Sequence, residues 1–309
     1  MRAVISGATG AVGMALIAEL VERGDQVLVL CRRDSARSRN IREENGVRKA
    51  ECSLDEMNRF TLPEGEAPYD VFFHFAWEGT TGKARNDMEL QCRNIVHTLD
   101  AVRLAQRLGC KTFIGAGSQA EYGRVEGKLT EKTPAFPENG YGMAKLCAGQ
   151  MSRVLCEELG LRHIWVRILS VYGPYDTENS MVMSTVRKLK AGEETAFTPG
   201  EQIWDYLYSG DAAKAFCALA ERGHAGEVYC LGGGVPTPLK DYILCIVNAV
   251  APKSGAGLGK LPYAPKQVMY LCADIGKLKA DTGYAPATSF EEGLSRTLAW
   301  YDGKTASEQ

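Results

Sequence analysis

Short apolar runs alternate with longer amphipathic stretches through the first half of the chain. The runs Ala3–Ser6, Val27–Leu30, Val47–Cys52, Val71–Phe75, Thr112–Ala116 and Ile164–Ile168 are apolar at successive positions, as strands covered on both faces must be. Between several of them apolar residues recur at helical spacing, over Val12–Arg23, Asp87–Leu108 and Gly142–Leu159. This alternation predicts a parallel sheet with helices on each side, a doubly wound α/β domain. Its ligands are expected beyond the carboxyl ends of the strands.

After about Ser170 the texture changes. YGPYDTENS, AGEETAFTPGEQ, LGGGVPTP and APKSGAGLGKLPYAP interrupt shorter elements, and glycine and proline at this density predict a smaller, loop-rich lobe that holds a substrate. The helical stretch Asp211–Glu221 is expected to return to the sheet. The expected division is therefore 1–169, rejoined by about 204–228, for the first domain, and 170–203 with 229–309 for the lobe.

Composition narrows the field. The chain has 309 residues, 45% apolar and 24% charged, with a net charge of −2. That balance offers no basic field for nucleic acid or a membrane surface, and no apolar run approaches the roughly 18–20 residues of a membrane span. MRAVISGATG runs straight into a strand and turn without an apolar targeting region, so a cytoplasmic protein is expected. Ten cysteines are scattered with no C-x-x-C pair, and only four histidines accompany them. They read as reduced core thiols, with no metal site.

The candidate chemistry begins after the first strand, at Gly7-Ala8-Thr9-Gly10-Ala11-Val12-Gly13. A glycine turn between a strand and a helix brings backbone N–H groups close to a pyrophosphate at the helix N-terminus. The fold is thus expected to be a Rossmann domain, with Gly7, Thr9, Gly10, Ala11, Val12 and Gly13 at the cofactor. In such a domain the end of the second strand faces the adenosine ribose, where an acid favours NAD. Cys31 stands there, 21 residues after Gly10, followed by Arg32 and Arg33.

"YGMAK" puts Tyr141 and Lys145 on one helix face. A nearby ammonium favours the phenolate, while a neutral tyrosine can protonate a developing alkoxide. Ser118, in "GAGSQAEYG", ends the fifth strand 23 residues before Tyr141, where its hydroxyl could polarise the same carbonyl.

With these motifs in this order, the chain resembles an extended short-chain dehydrogenase/reductase of the NAD-dependent epimerase/dehydratase family. HFAW (His74–Trp77), NIVHTLDA with Asn94, RILSVYGP, WDYLYSGDAAKAF and the C-terminal ADIGKLKADTGYAPATSFEEGLSRTLAWY carry the resemblance over nearly the whole chain. It implies catalytic Ser118, Tyr141 and Lys145, and a cofactor touched by Phe75, Ala76, Asn94, Tyr141 and Lys145. It also implies a nucleoside-diphosphate sugar as substrate and a homodimer formed through the helices Asp87–Leu108 and Gly142–Leu159. Loop residues Trp77, Glu78, Tyr122, Ser170, Asn179 and Trp204 are candidates to face the sugar; His74, at the end of an apolar strand, reads as packing near the cofactor rather than as an acid, and His97 and His163 read as structural.

Three departures from the family pattern bear on the reaction. Gln119 and Ala120 occupy the positions of the Asp-Glu pair with which the dehydratases remove water; Ser170 replaces an asparagine, and Trp204 an arginine. The expected activity is NADPH-dependent reduction of a keto group on a nucleotide-linked 6-deoxy sugar, as in reductases of the CDP-abequose synthase type. Arg32 and Arg33 would hold the 2′-phosphate, with Ser35 or Arg37 assisting and Arg39 and Arg42 solvated. A nucleotide-sugar epimerase that retains NAD is the alternative, and a non-catalytic dinucleotide sensor ranks last.

Overall fold

A computed structural model describes residues 1–63 and 65–308. In chain order the elements are β1 (Arg2–Ser6), α1 (Ala11–Glu22), β2 (Gln26–Cys31), β3 (Val47–Glu51), β4 (Val71–His74), α2 (Met88–Arg107), β5 (Thr112–Ser118), α3 (Gly140–Glu158) and β6 (Arg162–Ile168). There follow β7 (Ser170–Tyr172), α4 (Met181–Lys190), β8 (Ile203–Trp204), β9 (Tyr206–Tyr208), α5 (Ser209–Arg222), β10 (Glu227–Leu231), β11 (Thr237–Pro238), α6 (Leu239–Val250), α7 (Gly276–Thr282) and α8 (Phe290–Glu308).

Seven strands form one parallel sheet in the order β10-β6-β5-β4-β1-β2-β3. The sequence is apolar at successive strand positions because neighbouring side chains enter different cores. Ala3, Ile5, Val27 and Val29 join one cluster, which includes residues of α1 and α5. Val4, Leu28, Leu30 and Phe72 join another, with residues of α2. The result is the expected Rossmann architecture, with the strand order reversing between β1 and β4.

Two elements differ from expectation. β5 runs two residues past the apolar run Thr112–Ala116, through Gly117 to Ser118, the residue expected at the strand's end. A Cβ on Gly115 would lie 2.3 Å from the Trp165 ring, so the missing side chain makes room for an indole from β6. The return to the sheet also extends further than expected: α5 packs beside α1, and β10 pairs with β6 as far as Leu231, past the expected limit at 228.

The lobe has its own core, in which Tyr172, Val182, Val186, Ile243, Ile246 and Leu294 are buried together. Asp205, fully buried between β8 and β9, ties it to the sheet. Its carboxylate accepts the N–H groups of Gly233 and Gly234 beyond β10 and of Ala273 before α7. Among the described residues no helix is long and apolar enough to cross a membrane.

Candidate active site

The strand reversal places the Gly7–Gly13 turn after β1 beside the segment after β4, where a doubly wound sheet opens its ligand crevice. Gly7 has φ +75°, and a Cβ there would lie 2.3 Å from the Ala76 nitrogen. The two turns are therefore in backbone contact, at a position that only glycine tolerates. A Cβ on Gly10 would meet nothing within 4 Å, so the turn opens onto free space at the start of α1. No side chain caps that helix end, which leaves its first N–H groups for an anion. A dinucleotide pyrophosphate fits this cradle.

Ser118 ends β5, and its hydroxyl accepts the Ala120 N–H at 3.2 Å. Tyr141 and Lys145 lie in the first two turns of α3, whose start is fixed twice. The Asn139 side chain accepts the Gly142 N–H, and Asn86 accepts that of Gly140, each at 2.9 Å. A Cβ on Gly142 would lie 2.2 Å from the Ala120 carbonyl, so its absence lets the helix press against the turn after Ser118. The three candidate catalytic residues thus come together in one place. Burial pushes the Tyr141 phenol above its ordinary value, opposed by the Ser118 hydroxyl and by Arg85. Burial also lowers the Lys145 ammonium to about 7, against the charge of Glu121. Lys145 Nζ donates to the Ala116 carbonyl at 2.6 Å and sits 3.8 Å above the Trp77 ring.

Several expectations need correction. Asn94 is buried and its amide is spent on main chain, accepting from Glu78 N–H and donating to the carbonyls of Glu78 and Leu90. It braces the loop carrying Trp77. Tyr122 is not on an open loop. It is fully buried, donates to the Thr130 carbonyl at 2.8 Å, and lies 3.0 Å from Cys230 Sγ. Ser170 and Trp204 are joined to each other, the indole N–H donating to the hydroxyl at 2.8 Å. Asn179 is exposed just before α4. Trp77 and Glu78 are half-buried after β4, with Trp77 edge-on to Tyr141 at 6.1 Å between ring centroids. Phe75 packs on Phe216 at the base of the same loop.

Cys31 is buried at the end of β2, and Arg32 and Arg33 are exposed beyond it. Arg33 already donates to Glu51 on β3 at 2.8 Å. A cleft of about 810 Å³ lies beside the glycine turn, lined among others by Thr9, Arg37, Arg39, Arg42, Asp176 and Trp300. Arg39 and Arg42, expected to be solvated, are exposed but belong to this wall.

One feature of the site escaped the sequence reading altogether. Glu121, fully buried, accepts from Ser118 N–H at 2.8 Å, Trp165 Nε1 at 3.0 Å and Arg167 Nε at 2.7 Å. It holds the backbone of the candidate catalytic serine. Among the described residues no cluster of His, Cys, Asp or Glu is arranged to hold a metal ion.

A glycine cradle at the strand reversal, with serine, tyrosine and lysine gathered beyond β5, defines a dinucleotide-dependent enzyme of the extended short-chain dehydrogenase/reductase type. Sequence comparison makes this specific: residues 3–232 match the model of the NAD dependent epimerase/dehydratase family. The chain belongs to that family. It is 26% identical to a dTDP-glucose 4,6-dehydratase of Streptomyces griseus over 241 residues, covering 76% of this chain and 72% of the relative. It is 27% identical to the uncharacterized UDP-glucose epimerase YtcB of Bacillus subtilis, over 75% of this chain and 74% of that one. The solved UDP-glucose 4-epimerase of Thermotoga maritima, with UDP-glucose, superposes with a TM-score of 0.87 at 23% identity, covering 99% and 100% of the two chains.

Proposed function

We propose that this enzyme reduces a keto group on a nucleoside-diphosphate sugar with NADPH, using Ser118, Tyr141 and Lys145. The observation that carries this reading is the fate of the acid groups after Ser118. Where a dehydratase needs an acid and a base, this chain has Gln119 and Ala120. The nearby Glu121 is turned inward onto Arg167 and Trp165. Water elimination therefore lacks its acid–base pair, whereas carbonyl reduction requires only a proton donor and a polarising hydroxyl.

A bound nicotinamide would supply the hydride to the carbonyl carbon. The chain's own residues complete the step. Ser118 donates a hydrogen bond to the carbonyl oxygen, and Tyr141 gives its phenolic proton to that oxygen as the C=O bond becomes C–OH. Burial keeps the Tyr141 proton in place near neutrality, which suits a donor. Lys145 offsets the charge left on the phenolate, and Trp77 forms a wall beside both. The preference for NADPH rests on Cys31 in place of an acid, on the exposed Arg32 that follows it, and on Arg37, Arg39 and Arg42, which line the cleft. One charge-assisted Arg–phosphate contact contributes roughly 1.5–3 kcal/mol.

Family membership also supports a second reading, a nucleotide-sugar epimerase that retains NAD, because the same three residues serve it. Turnover of nucleotide-linked 4-keto-6-deoxy sugars with NADPH and NADH separates the two. Consumption of NADPH with a Tyr141→Phe variant slowed about 10²–10⁴-fold is expected. Bound NAD with turnover in the absence of added cofactor would establish the epimerase instead.

A homodimer completes the proposal. On the outer faces of α2 and α3, Val96, Met143, Met151 and Val154 are 45–56% exposed, an apolar surface suited to the same helices of a second copy. All ten cysteines are free, in keeping with a cytoplasmic enzyme.

A further inference from the structure

Arg85 lies in the short 3₁₀ turn Gly82–Asn86, outside every motif that the sequence analysis singled out. Its guanidinium carbon sits 4.3 Å from the centre of the Tyr141 ring. We infer that Arg85 is a positioning residue for Tyr141, holding the ring and stabilising its phenolate from the solvent side. The inference rests on the proposed role of Tyr141 in proton transfer.

The placement is built into the fold. Asn86, the next residue, accepts the Gly140 N–H at 2.9 Å, which ties the turn to the helix that carries Tyr141. Arg85 itself donates to the Thr80 carbonyl at 3.0 Å. Gln91, buried on α2, donates to the Gly79 and Ala84 carbonyls at 3.0 and 2.9 Å, fixing the base of the turn. The oxygen of the same amide accepts the Trp77 indole N–H at 2.9 Å. One side chain thus orders both the turn that presents Arg85 to Tyr141 and the indole on which Lys145 rests. Arg85 stacks on the Tyr141 ring and Lys145 on the Trp77 ring, with Lys145 Nζ 5.9 Å from the centre of the tyrosine ring.

The charged and titratable groups around the phenol come from four elements: Arg85 from the turn, Lys145 from α3, Ser118 from β5 and Glu121 from the segment after it. Glu121 opposes the phenolate, but its own charge is answered by Arg167. Arg85 and the Ser118 hydroxyl favour the phenolate. Lys145, lowered to about 7, gives up part of its charge near neutrality. A guanidinium keeps its charge there.

The test reads Tyr141 directly. Protein labelled with ¹³C at tyrosine Cζ is titrated by NMR, with the Tyr141 signal assigned by its loss in Tyr141→Phe. Arg85→Leu is expected to raise the Tyr141 midpoint by about one unit, a tenfold change in proton affinity, at the low end for a cation at this range. Arg85→Gln, which keeps a polar group on the turn, gives the same reading should the leucine variant unfold. An unchanged midpoint without the arginine overturns the inference. The titration needs no substrate, so failure to turn over any nucleotide sugar would sink the proposed activity and leave this comparison standing.

Discussion

Replacing Glu121 by glutamine removes the charge of a fully buried carboxylate while keeping its shape. Three donors lose their ionic acceptor: Ser118 N–H, the Trp165 indole and the Arg167 guanidinium, the last at 2.7 Å. Arg167 is itself buried, with its guanidinium also 4.5 Å from the Tyr122 ring centre, so water cannot replace the lost charge. Two unit charges about 4 Å apart attract by about 4 kcal/mol at an effective dielectric of about 20. Breaking a buried pair by removing one partner costs a similar ~3–5 kcal/mol. Glu121→Gln should therefore destabilise by about 3 kcal/mol, and Glu121→Ala by more, since all three donors are left unpaired. Urea unfolding followed by tryptophan fluorescence measures this. The paired variant Glu121→Leu/Arg167→Met should recover much of the loss, because no charge is then buried alone. Activity should fall further in the alanine variant than in the glutamine variant, since only alanine strips the Ser118 N–H of its side-chain acceptor. A glutamine variant within about 0.5 kcal/mol of the parent would refute this account of the pair.

Gly10→Ala should fold normally, its Cβ meeting nothing within 4 Å, yet bind dinucleotide more weakly in calorimetry, because the methyl enters the cradle. Gly7→Ala should also lose thermal stability, combining a positive φ with a Cβ 2.3 Å from the Ala76 nitrogen; equal melting temperatures for the two variants would contradict the turn geometry. His74 and His163 are both lowered by burial to about 3, so the unfolded chain takes up protons that the folded chain refuses. Stability should hold above pH 6.5 and fall toward pH 3, by at most about 1.4 kcal/mol per pH unit for each histidine; denaturation midpoints across this range check it, and His74→Gln should flatten the slope. Met151→Glu with Val154→Lys should dissociate the proposed dimer in sedimentation, with the monomer retaining its secondary structure.

The sheet was legible because its strands are buried on two faces, which leaves runs such as Ala3–Ser6 and Val27–Leu30 unbroken by polar residues. The glycine turn, Ser118, Tyr141 and Lys145 lie on the turns and helix where their motifs placed them, because a strand–turn–helix order fixes both residue type and spacing. Glu121 was not, since a glutamate in a turn reads as solvated until the fold brings Arg167 and Trp165 over from β6. Tyr122 misled for a related reason. Its loop looks open in sequence, but Cys230 and Thr130 close over its hydroxyl from distant positions. Arg85 stood in a loop with no signal at all, because its meaning lies in a ring contact with a residue 56 positions away.

The path of the chain through the sheet also has a consequence for biosynthesis. β6 ends at Ile168 and its outer neighbour β10 begins only at Glu227, so about sixty residues of lobe and helix must emerge before that edge is paired. At ~5–20 residues per second, the ribosome leaves β6 as an open edge for about 3–12 s. An unpaired apolar strand is a template for pairing with another chain. Slower translation between residues 169 and 226 should therefore lower the yield of soluble enzyme, although no residue of the site has changed.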